Sequence, residues 1–269
     1  MPSVTTQVRY SKDRGRNCDF YYYEPPEDTR RYPAGTDKRI IEIHDGWDGA
    51  DDLSVDVEGF EIRPFDPSFT DFDSDGAIEG AFYDQVIEFV KARTGAKRVK
   101  VFDHTIRRRM SDDLKQQTVI RRPAVQLIHS DYTEASGPQR VQDLLPDEAD
   151  DLLSRRVAFY NVWKPLFDPV EELPLACCDC RSMAEGDLMI MELKYPDRTG
   201  EVYVMRYSPE HRWTFFPLMQ PDQALLLKTY DNETDGRARF NGHTAFEDPT
   251  TPEHARPRQS IEVRTMAFF

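Results

Sequence analysis

The sequence is short of cationic charge, of cysteine and of long apolar runs, and each shortage removes a class of function. Lys and Arg number 35 against 49 Asp and Glu, a net charge of −14. A chain this anionic repels phosphate backbones and acidic headgroups, so neither nucleic acid nor a membrane is an expected partner. No apolar stretch approaches the roughly 20 residues of a membrane span. The opening MPSVTTQVRYSKDRGR lacks the apolar segment of a secretory signal, and the expected setting is soluble and cytoplasmic. Four cysteines, Cys18 alone and Cys177, Cys178 and Cys180 bunched, do not form the spaced framework of a secreted disulfide scaffold. In PLACCDC a strand of small residues is the blander reading than a redox or metal cluster, since a zinc site wants a second pair elsewhere. No fixed-period repeat and no low-complexity tract is present.

What remains is material for a core. At 269 residues, 39% hydrophobic and 12% aromatic, the chain is long enough to bury roughly 75% of its unfolded surface. A single domain over residues 1–269 is expected. Residues 1–75, rich in Pro, Asp, Tyr and charge (YYYEPPEDTRRYPAGTD, FDPSFTDFDSDG), read as an extended arm wrapped on the body, with short strand-like pieces such as 38–44. A helix follows: Ser74 or Asp75 can cap it, Ile78, Phe82, Val86, Phe89 and Val90 recur at helical spacing, and Gly95 stands at its C-terminal stop. From residue 97 onward the pattern shifts to nine short alternating runs, from VKVFDH to RQSIEVRTMAFF, interrupted by a polar helical stretch at 138–154 broken near Pro146. Many short strands without regular strand–helix alternation point to a mainly β fold with flanking helices. A double-stranded β-helix, the cupin-like jelly roll, fits over 97–269 and encloses a cavity between its sheets.

Chemistry enters with PAVQLIHSDYT. On a strand, Val125, Leu127, His129 and Asp131 share one face, so an imidazole and a carboxylate project side by side, close enough to bind one metal. The spacing alone is weak evidence, since six His and 49 acids in 269 residues produce roughly one His-x-acid pair by chance. A third ligand is offered by His243 in RARFNGHTAF, late in the strand series. Further on, Arg258 and Ser260 open the last strand, and Arg-x-Ser on one face suits one end of a dicarboxylate. Two His and one carboxylate on one face of an iron leave three positions open, the facial triad of non-haem Fe(II) oxygenases.

With these motifs in hand, the sequence resembles the Fe(II)/2-oxoglutarate-dependent dioxygenases on the jelly-roll fold. The segments VKVFDHTIRRR, RPAVQLIHSDYT, FYNVWKPL, YPDRTGEVY, SPEHRWTFFPLMQPDQALLLKTYD, ARFNGHTAFEDPTTP and RQSIEVR together look like the hydroxylase/desaturase group named after asaB. That group is similar to the cephem methoxylase small component and to gibberellin-desaturase-like proteins. The resemblance runs from about Val99 to the C-terminus, and PLACCDCRS departs from it at the cysteines. It implies His129, Asp131 and His243 as iron ligands, and Arg258 with Ser260 on the distal carboxylate of 2-oxoglutarate. It also implies O2 as cosubstrate, ascorbate as a possible reductant, and a small natural product as substrate. Hydroxylation, desaturation, ring closure and endoperoxidation share these residues.

Rivals exist for several positions. His211 competes with His243 for the third ligand, and Arg256 and Arg264 compete with Arg258 for the clamp. Strict alternation puts Arg258, Ser260, Glu262 and Arg264 on one face, where Glu262 could pair with Arg264. Asn161 and Trp163 share a face of AFYNVW near the metal-binding end of the cosubstrate, although packing serves Trp163 equally well. The run Arg107-Arg108-Arg109 suits surface ion pairs or an anion site, and Arg206, Arg212 and Lys228 could meet an anionic substrate. His44, His104 and His254 read as structural or exposed. An arm of this kind can cross to a second subunit, which makes a homodimer the expected assembly. Two other functions fit the ligands: a non-catalytic jelly-roll accessory subunit of a biosynthetic oxygenase, and a zinc hydrolase needing neither oxygen nor 2-oxoglutarate.

Overall fold

Fourteen strands are formed among the described residues, 3–108 and 124–269 of a computed structural model. In chain order they are β1 (Val4–Tyr10), β2 (Cys18–Tyr21), β3 (Asp37–Asp45), β4 (Phe60–Pro64), β5 (Arg98–Arg108), β6 (His129–Ser130), β7 (Val157–Pro165), β8 (Leu175–Cys178), β9 (Leu188–Lys194), β10 (Thr199–Met205), β11 (Trp213–Phe215), β12 (Gln223–Asp231), β13 (His243–Ala245) and β14 (Gln259–Phe268). The helices are α1 (Asp75–Ala77), joined by a π-helical turn (Ile78–Phe82) to α2 (Tyr83–Thr94), then α3 (Ser136–Leu144) and α4 (Ala149–Leu153). A nine-stranded sheet runs β1-β3-β11-β8-β13-β6-β10-β9-β2, and a five-stranded sheet runs β4-β12-β7-β14-β5. This is the jelly-roll arrangement the strand count predicted.

Alternation assigns the faces. Ile261, Val263 and Ala267 of β14 and Ala158, Tyr160 and Val162 of β7 pack outward with Ile78, Phe82, Val86 and Val90 of the helix. The helix lies where its apolar spacing placed it: the Ser74 side chain accepts from the Ala77 amide, and Gly95, at φ 74°, closes the C-terminus. The residues between those outward ones, Asn161, Trp163, Ser260, Glu262 and Arg264, therefore point into the space between the sheets. There Trp163, Leu225 and Leu227 of the small sheet pack with Leu175 and Cys177 of the large one.

The first 75 residues are not an arm laid over a finished body. They supply β1, β2 and β3 to the large sheet and β4 to the small one. β1 and β3 pair antiparallel over seven residues, Val4 opposite Ile43 through Tyr10 opposite Asp37. Apolar Val4, Val8 and Tyr10 are buried while the residues between them are not, so β1 gains both a ladder and apolar burial. The segment whose crossing to a second subunit suggested a homodimer is thus built into the sheets of its own chain.

A buried charge network holds the connection that delivers His243. Lys228 and Asp231, both fully buried, pair at 3.0 Å, and Arg156 reaches Asp231 at 2.8 Å. Asp56 also meets the Lys228 ammonium, the Arg239 Nε donates to the Asp231 carbonyl at 2.7 Å, and the Asn241 amide donates to the Lys228 carbonyl at 2.9 Å. Gly242 then passes so close to Met205 that a Cβ there would lie 2.2 Å from its sulfur. Asp231→Ala removes the fully buried carboxylate shared by Lys228 and Arg156 and leaves both on the half-exposed Asp56, and we expect it to cost about 3 kcal/mol, read as a lower midpoint in chemical denaturation.

Candidate metal centre

β6 is only two residues long and sits inside the large sheet, with His129 opposite His243 of β13 on one side and Val204 of β10 on the other. That register brings together two histidines far apart in sequence: their ring centroids lie 4.6 Å apart. Asp131, just past β6, adds a carboxylate whose Oδ1 is 3.5 Å from His129 Nε2. One ligand atom from each of His129, Asp131 and His243 lies within 4.8 Å of the others, and no other group of three such residues is found among the described residues.

Hydrogen bonds orient each ligand. The His129 Nδ1 lies 2.8 Å from the Leu127 carbonyl and the His243 Nδ1 lies 3.1 Å from the Asn241 carbonyl. A carbonyl only accepts, so in both rings Nδ1 carries a hydrogen, and Nε2 is the atom that would bind a metal. Burial, followed by the nearby His243, pushes His129 down to about 4, so its ring is neutral at physiological pH and ready to ligate. Asp131 is held well below the usual carboxylate range: burial opposes this, but the Arg264 guanidinium, with the Asn161 amide hydrogen bond, outweighs it. Its Oδ2 accepts from Asn161 Nδ2 at 2.6 Å and from Arg264 Nε at 3.3 Å, leaving Oδ1 on the side of His129. Arg264 is fixed in turn by Glu262, by Thr105 Oγ1 at 3.0 Å and by Asp103 at 3.1 Å. Asn161→Ala is expected to weaken Fe(II) binding about 10- to 100-fold, the usual cost of losing a ligand's orienting partner, read by anaerobic titration.

Arg258 stands apart from this set. It is buried, at 7% exposure, with its guanidinium 5.6 Å from the centroid of Trp163. Its side chain donates to the Leu173 carbonyl, and no ion pair to it is formed among the described residues. Burial, and then Arg107, lowers it to about 10, with Glu262 and Glu172 acting the other way but not outweighing them. On the same strand face, Ser260 Oγ is buried without a hydrogen-bond partner, as is Asn161 Oδ1. Cys177 connects the two regions, lying opposite His243 and in the apolar cluster of Trp163. Arg258 and the Ser260 hydroxyl thus offer a buried cation and an unused donor on one face, the pair of groups a bound carboxylate would engage.

A cavity of about 830 Å³ opens on the centre, and Val125, Leu127, His129 and Asp131 all line it. Their shared face is realised even though regular strand is confined to His129–Ser130. The other charged candidates find different partners. His211 bonds Tyr10 and Asp187, both at 3.1 Å, and is not a ligand. Lys228 lies in the buried network, Arg206 pairs with Asp13 and Asp187, Arg212 with Asp179, and Arg256 with Asp168 and Glu171. Arg108 pairs with Asp73 at 2.6 Å, Arg107 lines the cavity, and Arg109 lies outside the described residues. Cys177 and Cys178 are buried on β8, the strand PLACC suggested. Glu262 does pair with Arg264. What sequence reading missed is Arg264 as a partner of Asp131, a contact that exists only once β14 crosses opposite the end of β6.

Comparison with known proteins agrees with this geometry. Residues 8–268 match the family model described as the oxidoreductase/YMDC permease-like domain. The chain is 29% identical over 250 residues to hydroxylase/desaturase efuI of Hormonema carpetanum, covering 85% of this chain and 83% of that protein. It is 28% identical over 269 residues to the Fe(II)/2-oxoglutarate-dependent dioxygenase nvfI of Aspergillus novofumigatus, covering 95% and 93%. The solved structure of the iron and alpha-ketoglutarate-dependent endoperoxidase NvfI superposes with a TM-score of 0.89 at 24% identity, covering 99% of this chain and 98% of that one, and establishes the likeness of fold. Among the described residues no helix is long and apolar enough to cross a membrane.

Proposed function

The chain belongs to the oxidoreductase/YMDC permease-like family, and from that premise we propose that it is a non-haem oxygenase, dependent on Fe(II), 2-oxoglutarate and O2, that oxidises an unactivated C–H bond of a small secondary metabolite. The observation that carries the reading is the convergence of His129, Asp131 and His243, each oriented by its own hydrogen bond with its ligating atom left open. Two imidazoles and one carboxylate suit ferrous iron and leave positions for a cosubstrate and oxygen.

In this assignment His129, Asp131 and His243 hold the metal, Arg258 and Ser260 seat the far carboxylate of 2-oxoglutarate, and Asn161 with Arg264 keeps Asp131 deprotonated and aimed. When bound, Fe(II) and 2-oxoglutarate together supply the oxidising power drawn from O2. The chain's own contribution is placement. Arg258 would fix one end of the keto-diacid by charge, Ser260 Oγ would donate to it, and the cavity wall would decide which carbon of the substrate faces the metal. Hydroxylation, desaturation, ring closure and endoperoxidation all require these same residues, so the walls of the cavity and not the ligands select the product.

The test is oxygen uptake and succinate formation from 2-oxoglutarate by the purified protein with Fe(II), with and without ascorbate. Succinate formed only when Fe(II) and O2 are both present supports the enzyme. Its absence across a substrate panel supports a non-catalytic accessory role instead.

A further inference from the structure

The cavity has two unlike ends. At the outer end, Phe20 and Tyr22, carried by and just beyond edge strand β2, are 50% and 48% exposed. Their rings meet at 5.0 Å, and Tyr22 stacks on Tyr195 at 4.5 Å and 6°. Large apolar groups left this open at the rim of a cavity mark a surface that a ligand covers. β2 lies three strands from β6 in the order β6-β10-β9-β2, and Phe20 is in register with Gly200 of β10 while His129 is in register with Val204; at the ordinary strand spacing and rise this puts the aromatic rim about 20 Å from His129. Met191, Leu193 and Val202 line the floor between.

The inner end carries charge. Arg140, half-buried on α3, lies over Phe102 at 5.3 Å, and Phe102 and Tyr132 both pack on Phe159, at 6.1 and 4.7 Å. The guanidinium therefore sits on the wall beside Tyr132, the residue that follows Asp131. The neighbouring carboxylates in the lining are engaged elsewhere: Asp103 with Arg264, Asp143 with Gln139 at 2.8 Å, and Glu201 with Thr133 at 2.9 Å. No ion pair to Arg140 is formed among the described residues, in a chain with 49 acidic side chains against 35 basic ones. A cation held on an aromatic face with no carboxylate paired to it among the described residues is poised for an incoming anion.

We propose that the cavity takes an elongated apolar, ring-bearing acid, its anionic group held by Arg140 near the metal centre and its apolar body running along β10 and β9 to the rim formed by Phe20 and Tyr22. This rests on the oxygenase reading of the site and adds the class of its substrate. Arg140 is then a specificity-determining residue.

The test uses two probes with one ring system: 1-anilinonaphthalene-8-sulfonate, which is anionic, and N-phenyl-1-naphthylamine, which is neutral. Both should bind the full-length protein, the anion more tightly. Arg140→Met should weaken the anionic dye about tenfold, the equivalent of about 1.4 kcal/mol, and change the neutral one less than about twofold on the same scale. Arg140→Lys should keep most of the preference, and Phe20→Ser should weaken both dyes. Equal binding of the two dyes, or insensitivity of both to Arg140 and Phe20, overturns the proposal. If Arg140→Met fails to fold, the Arg140→Lys and Phe20→Ser results decide. Succinate formation by the unsubstituted protein tests the underlying reading separately: dye discrimination without succinate keeps the acid-binding cavity and removes the oxygenase.

Discussion

Asp131→Ala is expected to abolish succinate formation while leaving the fold in place. In the proposed centre its carboxylate is the anionic ligand, and removing it would leave only the two imidazoles. Loss of an orienting partner alone costs about 10- to 100-fold in metal affinity or activity, so loss of the ligand itself should exceed the upper end of that range. The fold should survive because Arg264, which loses one partner, keeps Glu262 and Asp103. His129→Ala should behave alike for a different reason: its ring is neutral in the folded protein, so removing it strands no charge. The measurement is succinate yield with bound iron per chain, alongside a melting curve. Wild-type succinate yield in either variant, with the fold intact, would remove the residue from the centre.

The second large effect is expected at Arg258. Arg258→Met should raise the KM for 2-oxoglutarate far more than it lowers kcat. Truncating one member of a buried charge pair typically costs about 2 kcal/mol or more, which is roughly 30-fold. The same substitution should cost the ligand-free protein little, because burial already disfavours the Arg258 charge and no ion pair to it is formed among the described residues. 2-oxoglutarate should raise the melting temperature of the iron-loaded wild type by mass action and do so much less in Arg258→Met. An unchanged KM in Arg258→Met would move the clamp to another residue.

Much of this was legible beforehand, for reasons that individual residues make plain. Side-chain alternation put His129 beside Asp131 and put Arg258, Ser260, Glu262 and Arg264 on one face, because a period of two is a local property. Whether that face met water or a cavity was not local. It became interior only because Ile261 and Val263 pack against the helix on the other side. The same limit applies to the third histidine: what separates His243 from His211 is a cross-strand register with His129, and contacts of His211 with Tyr10 and Asp187 that span long stretches of chain. The N-terminal strands were hidden differently. Val4, Thr6, Val8 and Tyr10 do alternate, but the partner that makes β1 a strand, β3, lies beyond a Pro- and Tyr-rich segment whose composition reads as loop. Arg264 and Arg140 show where sequence reading stops. Nothing in the motif says which arginine will lie on a metal ligand, which will find a carboxylate, and which will be left facing a cavity.

The most direct measurement is an anaerobic crystal structure with Fe(II) and 2-oxoglutarate. It should show one ion bonded to His129 Nε2, Asp131 Oδ1 and His243 Nε2, and the far carboxylate of 2-oxoglutarate on Arg258 and Ser260. An ion bound without His243, or a cosubstrate carboxylate lying away from Arg258, would contradict the account.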